Sequence, residues 1–187
     1  MIGRIGTAFA VAAVAALVVV GCTPEDPVET ASVSATEPAA SGVPDEQEIL
    51  DDAFATAREF YRLVDEGFAT GELSDAALQR VATAEAIAKV QSELDEFTGL
   101  GWTLNGTSSL DSPALTRWDD WSDASGTIEV LACLDTSNVV TMNAAGEPVT
   151  GGEPRQPRLF TVKHDESGMR VADLTPVDPN TELAGCG

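Results

Sequence analysis

The sequence predicts an α+β domain in which helices come first and an antiparallel sheet follows. Three observations carry that prediction. Between Ile49 and Phe97 apolar side chains recur at intervals of three and four, the helical period. From Trp102 onward they alternate or form short β-branched runs cut by turn residues, the pattern of strands. The pattern changes only once along the chain, and a segregated order of this kind packs helices on one face of a sheet.

The first helix opens at Asp45-Glu46-Gln47-Glu48, which has the form of a capping box. Ile49, Leu50, Ala53, Phe54, Ala57, Phe60, Tyr61 and Val64 then mark its buried face, and Gly67 is the expected stop. Ser74 is the expected N-cap of a second helix over residues 75–82. Thr83 caps a third over 84–97, with Ile87, Val90, Leu94 and Phe97 as its stripe and Gly99 and Gly101 ending it. Strands follow at residues 102–104, 114–121, 128–134, 139–142, 158–164 and 169–175. Asn105-Gly106 is a strong turn dipeptide, a further turn is expected at residues 143–146, and Asp165-Glu166-Ser167-Gly168 reads as the tip of a hairpin.

The first 44 residues do not belong to that domain. One basic residue, Arg4, precedes an apolar run from Ile5 to Val20. As a helix the run would reach roughly 24 Å at ~1.5 Å per residue, short of the ~30 Å bilayer core. It therefore reads as a secretory signal over residues 1–21 rather than a permanent span. Its exit, Val19-Val20-Gly21-Cys22, resembles the bacterial lipobox. That resemblance implies a diacylglyceryl thioether on Cys22, cleavage after Gly21 and a membrane-anchored, extracytoplasmic chain; two acyl chains suffice for a lasting anchor. Residues 22–44 hold Pro24, Pro27, Pro38 and Pro44, many Ser, Thr, Ala and Glu, and no aromatic. Such a segment buries too little apolar surface to fold and reads as a flexible tether. The single domain spans residues 45–187.

The chain carries 31 acids and 10 bases, a formal charge of −21 that becomes −22 once Arg4 is removed. That field repels phosphate backbones and argues against a nucleic-acid partner. With Cys22 assigned to lipid, Cys133 and Cys186 form an even pair in an oxidising compartment, and a disulfide between them is expected. Arginine outnumbers lysine eight to two, the bias of a GC-rich genome. The order of elements, together with Cys133-Leu134-Asp135-Thr136-Ser137 and a cysteine at the extreme C-terminus, is similar to small actinobacterial lipoproteins with a cystatin-like or NTF2-like (cone-shaped α+β) domain. The resemblance covers residues 45–187 by pattern. It departs where those proteins carry a tryptophan after the hairpin glycine and this chain has Met169. It implies a curved sheet and a binding or accessory role.

No catalytic constellation stands out. His164 is the one histidine, expected to be an exposed strand residue, and there is no Gly-x-Ser-x-Gly elbow. With both remaining cysteines bridged, a zinc site lacks ligands, and no cofactor is expected. Residues 119–126 superficially resemble a calcium loop, but aligning Gly126 with the obligatory glycine puts Trp121 and Ala132 at ligand positions. The glycines lack the spacing and lysine of a phosphate loop. Phe97, Trp102, Trp118 and Trp121 are expected either to line the mouth of a cone-shaped pocket or to serve as ordinary packing. Three functions follow in order: a tethered, non-enzymatic binding or accessory module facing an envelope partner; a carrier of a small apolar ligand; and an isomerase- or hydrolase-like enzyme using a buried aspartate.

Overall fold

The computed structural model describes residues 45–122, 125–149, 153–178 and Cys186, without the side chains of residues 120–122. The expected signal segment, Val19, Val20, Gly21, Cys22 and the tether lie outside the described residues. Among the described residues no helix is long and apolar enough to cross a membrane.

Helix α1 (Glu46–Thr70) starts where the capping pattern puts it. The Asp45 carboxylate accepts from the backbone amides of Gln47 and Glu48 at 2.5 and 3.4 Å. Its buried face is Ile49, Ala53, Ala57, Phe60 and Leu63. The helix does not stop at Gly67. It runs one turn further and ends at Gly71, whose φ of 79° closes a bond from its amide to Gly67 O at 2.8 Å. Gly67 instead makes room for Leu73, because a Cβ there would lie 2.3 Å from Leu73 Cδ2.

Helix α2 (Asp75–Leu78) is shorter than the sequence pattern predicts. Residues 81–83 are drawn out alongside the last strand: Val171 N donates to Val81 O at 2.8 Å and Thr83 N to Val171 O at 2.9 Å. Tertiary pairing overrides local propensity here. Helix α3 (Ala84–Gly99) is capped by Thr83, whose hydroxyl accepts from Ala86 N at 3.4 Å. It continues through Gly99, two residues past the expected end.

Six strands follow: β1 (Thr103–Asn105), β2 (Ser109–Ser122), β3 (Ser125–Asp135), β4 (Val140–Met142), β5 (Arg155–Asp165) and β6 (Gly168–Pro176). Four form an antiparallel sheet in the order β2-β3-β5-β6, and β1 pairs with β4 in a separate ribbon. The β5–β6 hairpin turns at the predicted place, with Asp165 facing Gly168 across the turn. Asn105-Gly106 does not join two neighbouring strands. Asn105 pairs with Val140, and Gly106, at φ 98°, passes so close to the turn before β4 that a Cβ would meet Asn138 O at 1.9 Å. Strand β2 begins five residues earlier than predicted. Its irregular stretch at Ser112-Pro113 is absorbed as a break in register, with Ser112 at φ 51°.

The result is the expected α+β layout, with helices on one face of a curved antiparallel sheet. Ile128, Val130, Ala132 and Leu134 of β3, Phe160 and Val162 of β5 and Val171 of β6 meet Ile49, Ala53, Ala57, Phe60 and Leu78 from the helices. Phe60 and Phe160 are fully buried. Burial of each such side chain contributes about 2–3 kcal/mol, so the space directly beneath α1 is packed rather than hollow.

The opposite face of the sheet carries Cys186. Cys133, on the odd-numbered face of β3, is bonded to Cys186 with their Cα atoms 5.5 Å apart. Arg155, two residues from the Cys133 partner Pro157, donates through Nε to Cys186 O at 3.0 Å. It also bridges Asp111 at 2.5 Å and Asp135 at 3.8 Å. One covalent bond and one guanidinium therefore hold Cys186 against β3 and β5.

Candidate functional site

With the core filled, open space lies on either side of α1. The first cleft, about 480 Å³, runs between α1 and the start of β2. Arg58, Arg62, Asp65 and Ser108 border it. Asp65 is the one buried charged side chain among the described residues. Its Oδ2 accepts from Ser108 N at 2.7 Å and from Ser108 Oγ at 2.6 Å. A carboxylate satisfied in this way by a backbone amide and a hydroxyl pins the β1–β2 connection to the helix. Arg62 is turned along the helix surface, paired with Glu59 at 2.8 Å and Glu66 at 3.1 Å.

The second cleft, about 310 Å³, opens between α1, α3 and the β5–β6 edge. Its walls are Phe60, Val90, Leu174 and Ala86, and its polar groups are Tyr61, Arg158, Lys89, Glu93 and Asp173. Tyr61 is held by its ring, edge-on to Phe160 at 5.9 Å and to Phe60 at 6.3 Å. Burial pushes the Tyr61 hydroxyl above its ordinary pKa, while the Arg158 guanidinium beside it pulls the other way. Arg158 also donates to Gln156 Oε1 at 2.8 Å. At the rim, Lys89 bonds Asp173 at 3.1 Å and Leu174 O at 3.1 Å, and this ammonium holds the Asp173 carboxyl below the usual carboxylate range.

The residues singled out from sequence sit elsewhere. Phe97 and Trp102 do come together, edge-on at 5.9 Å, and Phe68 extends the cluster at 5.1 Å from Phe97. Trp118 lies on β2 opposite Ile128 and packs on the core from there. The Trp121 side chain lies outside the described residues. Neither cleft beside α1 is lined by Phe97, Trp102 or Trp118. His164, on β5 opposite Gly126 and Met169, is half-buried rather than exposed. Of the acidic stretch near Gly126, Asp123 and Ala124 lie outside the described residues; among the described residues no group of three metal-ligating side chains converges. Tyr61 and Arg158 were visible in the sequence only as one apolar helix position and one strand residue.

Fold and clefts together define an α+β domain with open clefts on either side of its first helix. Its architecture is similar to the intermembrane-space region of the chloroplast protein ARC6, with a TM-score of 0.51 and 11% identity over 68% of this chain and 95% of that one. Weaker matches include a periplasmic fragment of TraM, with TM-score 0.41, 13% identity and coverage of 68% and 96%. Another is an NTF2-like superfamily protein of Salmonella enterica serovar Typhimurium, with TM-score 0.40, 12% identity and coverage of 75% and 95%. At these identities the likeness is one of fold. No protein-family model matches the chain, and no curated protein matches it.

Proposed function

We propose that this protein is a lipid-anchored, extracytoplasmic binding or accessory module of the cell envelope, without catalytic activity of its own. The observation that carries the reading is the distribution of cysteines. Cys133 and Cys186 are bonded to each other inside the domain, which leaves Cys22, at the exit of an apolar signal-like run, as the cysteine available for lipid. The intervening segment to Asp45, rich in proline and small polar residues, has the composition of a tether. The non-catalytic part of the reading is supported by Asp65, whose carboxylate is engaged by Ser108, and by the placement of His164 in the ladder of β5.

A Cys22→Ser chain tests the anchor directly. Mass spectrometry of the native protein from the membrane fraction is expected to show a diacylglyceryl adduct on Cys22. The serine variant is expected to lack the adduct and to leave the detergent phase on partitioning. Equal partitioning of both chains, with an unmodified Cys22, overturns the proposal. A second reading, carriage of a small ligand, is favoured by the open cleft between α1, α3 and β6.

A further inference from the structure

We propose that the cleft between α1, α3 and β6 binds a small monocarboxylate with an apolar body, its carboxylate held by Arg158 beside Tyr61. The inference rests on the binding role proposed above and is independent of the anchor.

The first argument is charge. Arg155, Arg158 and Arg170 are the half-buried arginines among the described residues. Arg155 bridges Asp111 and Asp135, and Arg170 holds Asp165. Arg158 makes no salt bridge among the described residues; its guanidinium donates to a neutral amide oxygen, Gln156 Oε1, and lies beside the Tyr61 hydroxyl. A guanidinium has five N–H donors in a planar fork that matches a carboxylate bidentately. Taking such a cation out of water costs free energy unless an anion compensates. In a chain with 31 acids and 10 bases, a half-buried arginine that has no carboxylate partner among the described residues is a place for an anion to arrive.

The second argument is shape and polarity. Phe60, Val90 and Leu174 give the cleft apolar walls, and its volume of about 310 Å³ falls at the small end of the range for ligand sites. The charged lining side chains are Lys89, Arg158, Glu93 and Asp173, which balance. Lys89 is already taken by Asp173. Arg158 and Glu93 remain, neither in a salt bridge among the described residues, so a monocarboxylate has the Arg158 fork to answer it, whereas a phosphate dianion would meet Glu93 and Asp173 with that one cation alone. A neutral alcohol would fill the walls but leave Arg158 without a counter-charge, and an amine would meet that guanidinium as a like charge with Glu93 alone to answer it.

The test uses the full chain in lipid nanodiscs, titrated calorimetrically against empty discs with 4-phenylbutyrate, 4-phenylbutanol and 4-phenylbutylamine. Saturable binding of the carboxylate is expected, with the alcohol weaker by roughly tenfold or more, as the loss of a charged hydrogen-bonded pair implies. The amine is expected not to saturate. Arg158→Gln should weaken the carboxylate by a similar factor and leave the alcohol unchanged, and Leu174→Trp should weaken both by filling the cleft. Equal affinity for carboxylate and alcohol, preference for the amine, or no saturation by the carboxylate up to ~10 mM each overturns the proposal. The three-ligand comparison on the unaltered chain decides the matter should Arg158→Gln fail to fold. Co-elution with the discs is scored separately, so a missing anchor is distinguishable from a missing ligand site.

Discussion

Removing the Asp65 carboxylate by Asp65→Ala strips both donors of Ser108, its backbone N–H and its hydroxyl, of their shared acceptor. Hydrogen bonds to a charged group contribute about 1.5–3 kcal/mol each. Two donors on one oxygen are not additive, and the Ser108 end is only part-buried, so the loss is expected at about 2–3 kcal/mol in total. For a domain of roughly 140 residues this lowers Tm by about 6–10 °C. The assay is urea and thermal unfolding followed by tryptophan fluorescence, run as a double-mutant cycle with Ser108→Ala. Ser108→Ala alone removes the hydroxyl and keeps the amide bond, so it should cost about 1 kcal/mol. The coupling energy between the two sites should then match that single-bond loss. A destabilisation by Asp65→Ala of under ~0.5 kcal/mol, or a coupling indistinguishable from zero, would refute the claim that this pair pins the β1–β2 connection to α1.

Other perturbations bear on other parts of the molecule. Replacing Cys133 and Cys186 together by alanine opens a 53-residue separation, and loop-closure entropy puts the cost at about 4 kcal/mol; equal denaturation midpoints for the variant and the parent would contradict it. Gly106→Ala should cost roughly 2 kcal/mol or more, since φ 98° is strained for alanine and its Cβ would press on the Asn138 carbonyl. A variant as stable as the parent in denaturant would refute that close approach. Phe60→Ala should cost about 3–5 kcal/mol in the same assay, because Phe60 is 1% exposed, and a loss below ~1 kcal/mol would mean the core beneath α1 is not packed. Tyr61 is the chain's one tyrosine, so ultraviolet phenolate titration reads it alone. Its midpoint should lie above 10 and rise further in Arg158→Gln, whose guanidinium opposes the upward shift. A folded-state pKa raised above the unfolded one stabilises the fold below the unfolded pKa, and that contribution is lost as pH rises through the folded value; an ordinary midpoint near 10 in the folded protein would contradict the burial of this hydroxyl.

What the sequence made legible was local. The Asp45 and Thr83 caps, the stripes of α1 and α3 and the turn at residues 165–168 each depend on side chains within a few positions of one another, and each appears where expected. The misreadings have a common physical cause. Gly67 looks like a helix stop, yet the contact that explains it comes from Leu73 folding back onto the helix. Residues 79–82 have helical spacing, yet the backbone of β6 recruits Val81 and Thr83. Asn105-Gly106 has hairpin chemistry, but its strand pairs with β4, and the glycine serves a close approach to a distant turn. In every case a long-range contact reassigns a residue whose local signal was ambiguous.

The same limit explains why the aromatic residues drew attention and the polar pair did not. Large aromatics are conspicuous in a chain with few of them; Phe97 and Trp102 meet edge-on beside Phe68, and Trp118 packs on the core from β2. Tyr61 and Arg158 carry no motif; they meet only because the register of β5 sets Arg158 on the helix-facing side of the sheet, two residues before Phe160, against which Tyr61 packs. Tyr61 borders both clefts beside α1, so its ring is the partition between them and its hydroxyl faces Arg158 in the second. A side chain locked by two edge-on aromatic contacts is a rigid wall, and a rigid wall next to a guanidinium without a salt bridge among the described residues is pre-organised for a ligand. Beside a filled core, that corner joins the apolar walls of Phe60, Val90 and Leu174 to a guanidinium whose fork matches a carboxylate, a combination that packing alone does not account for.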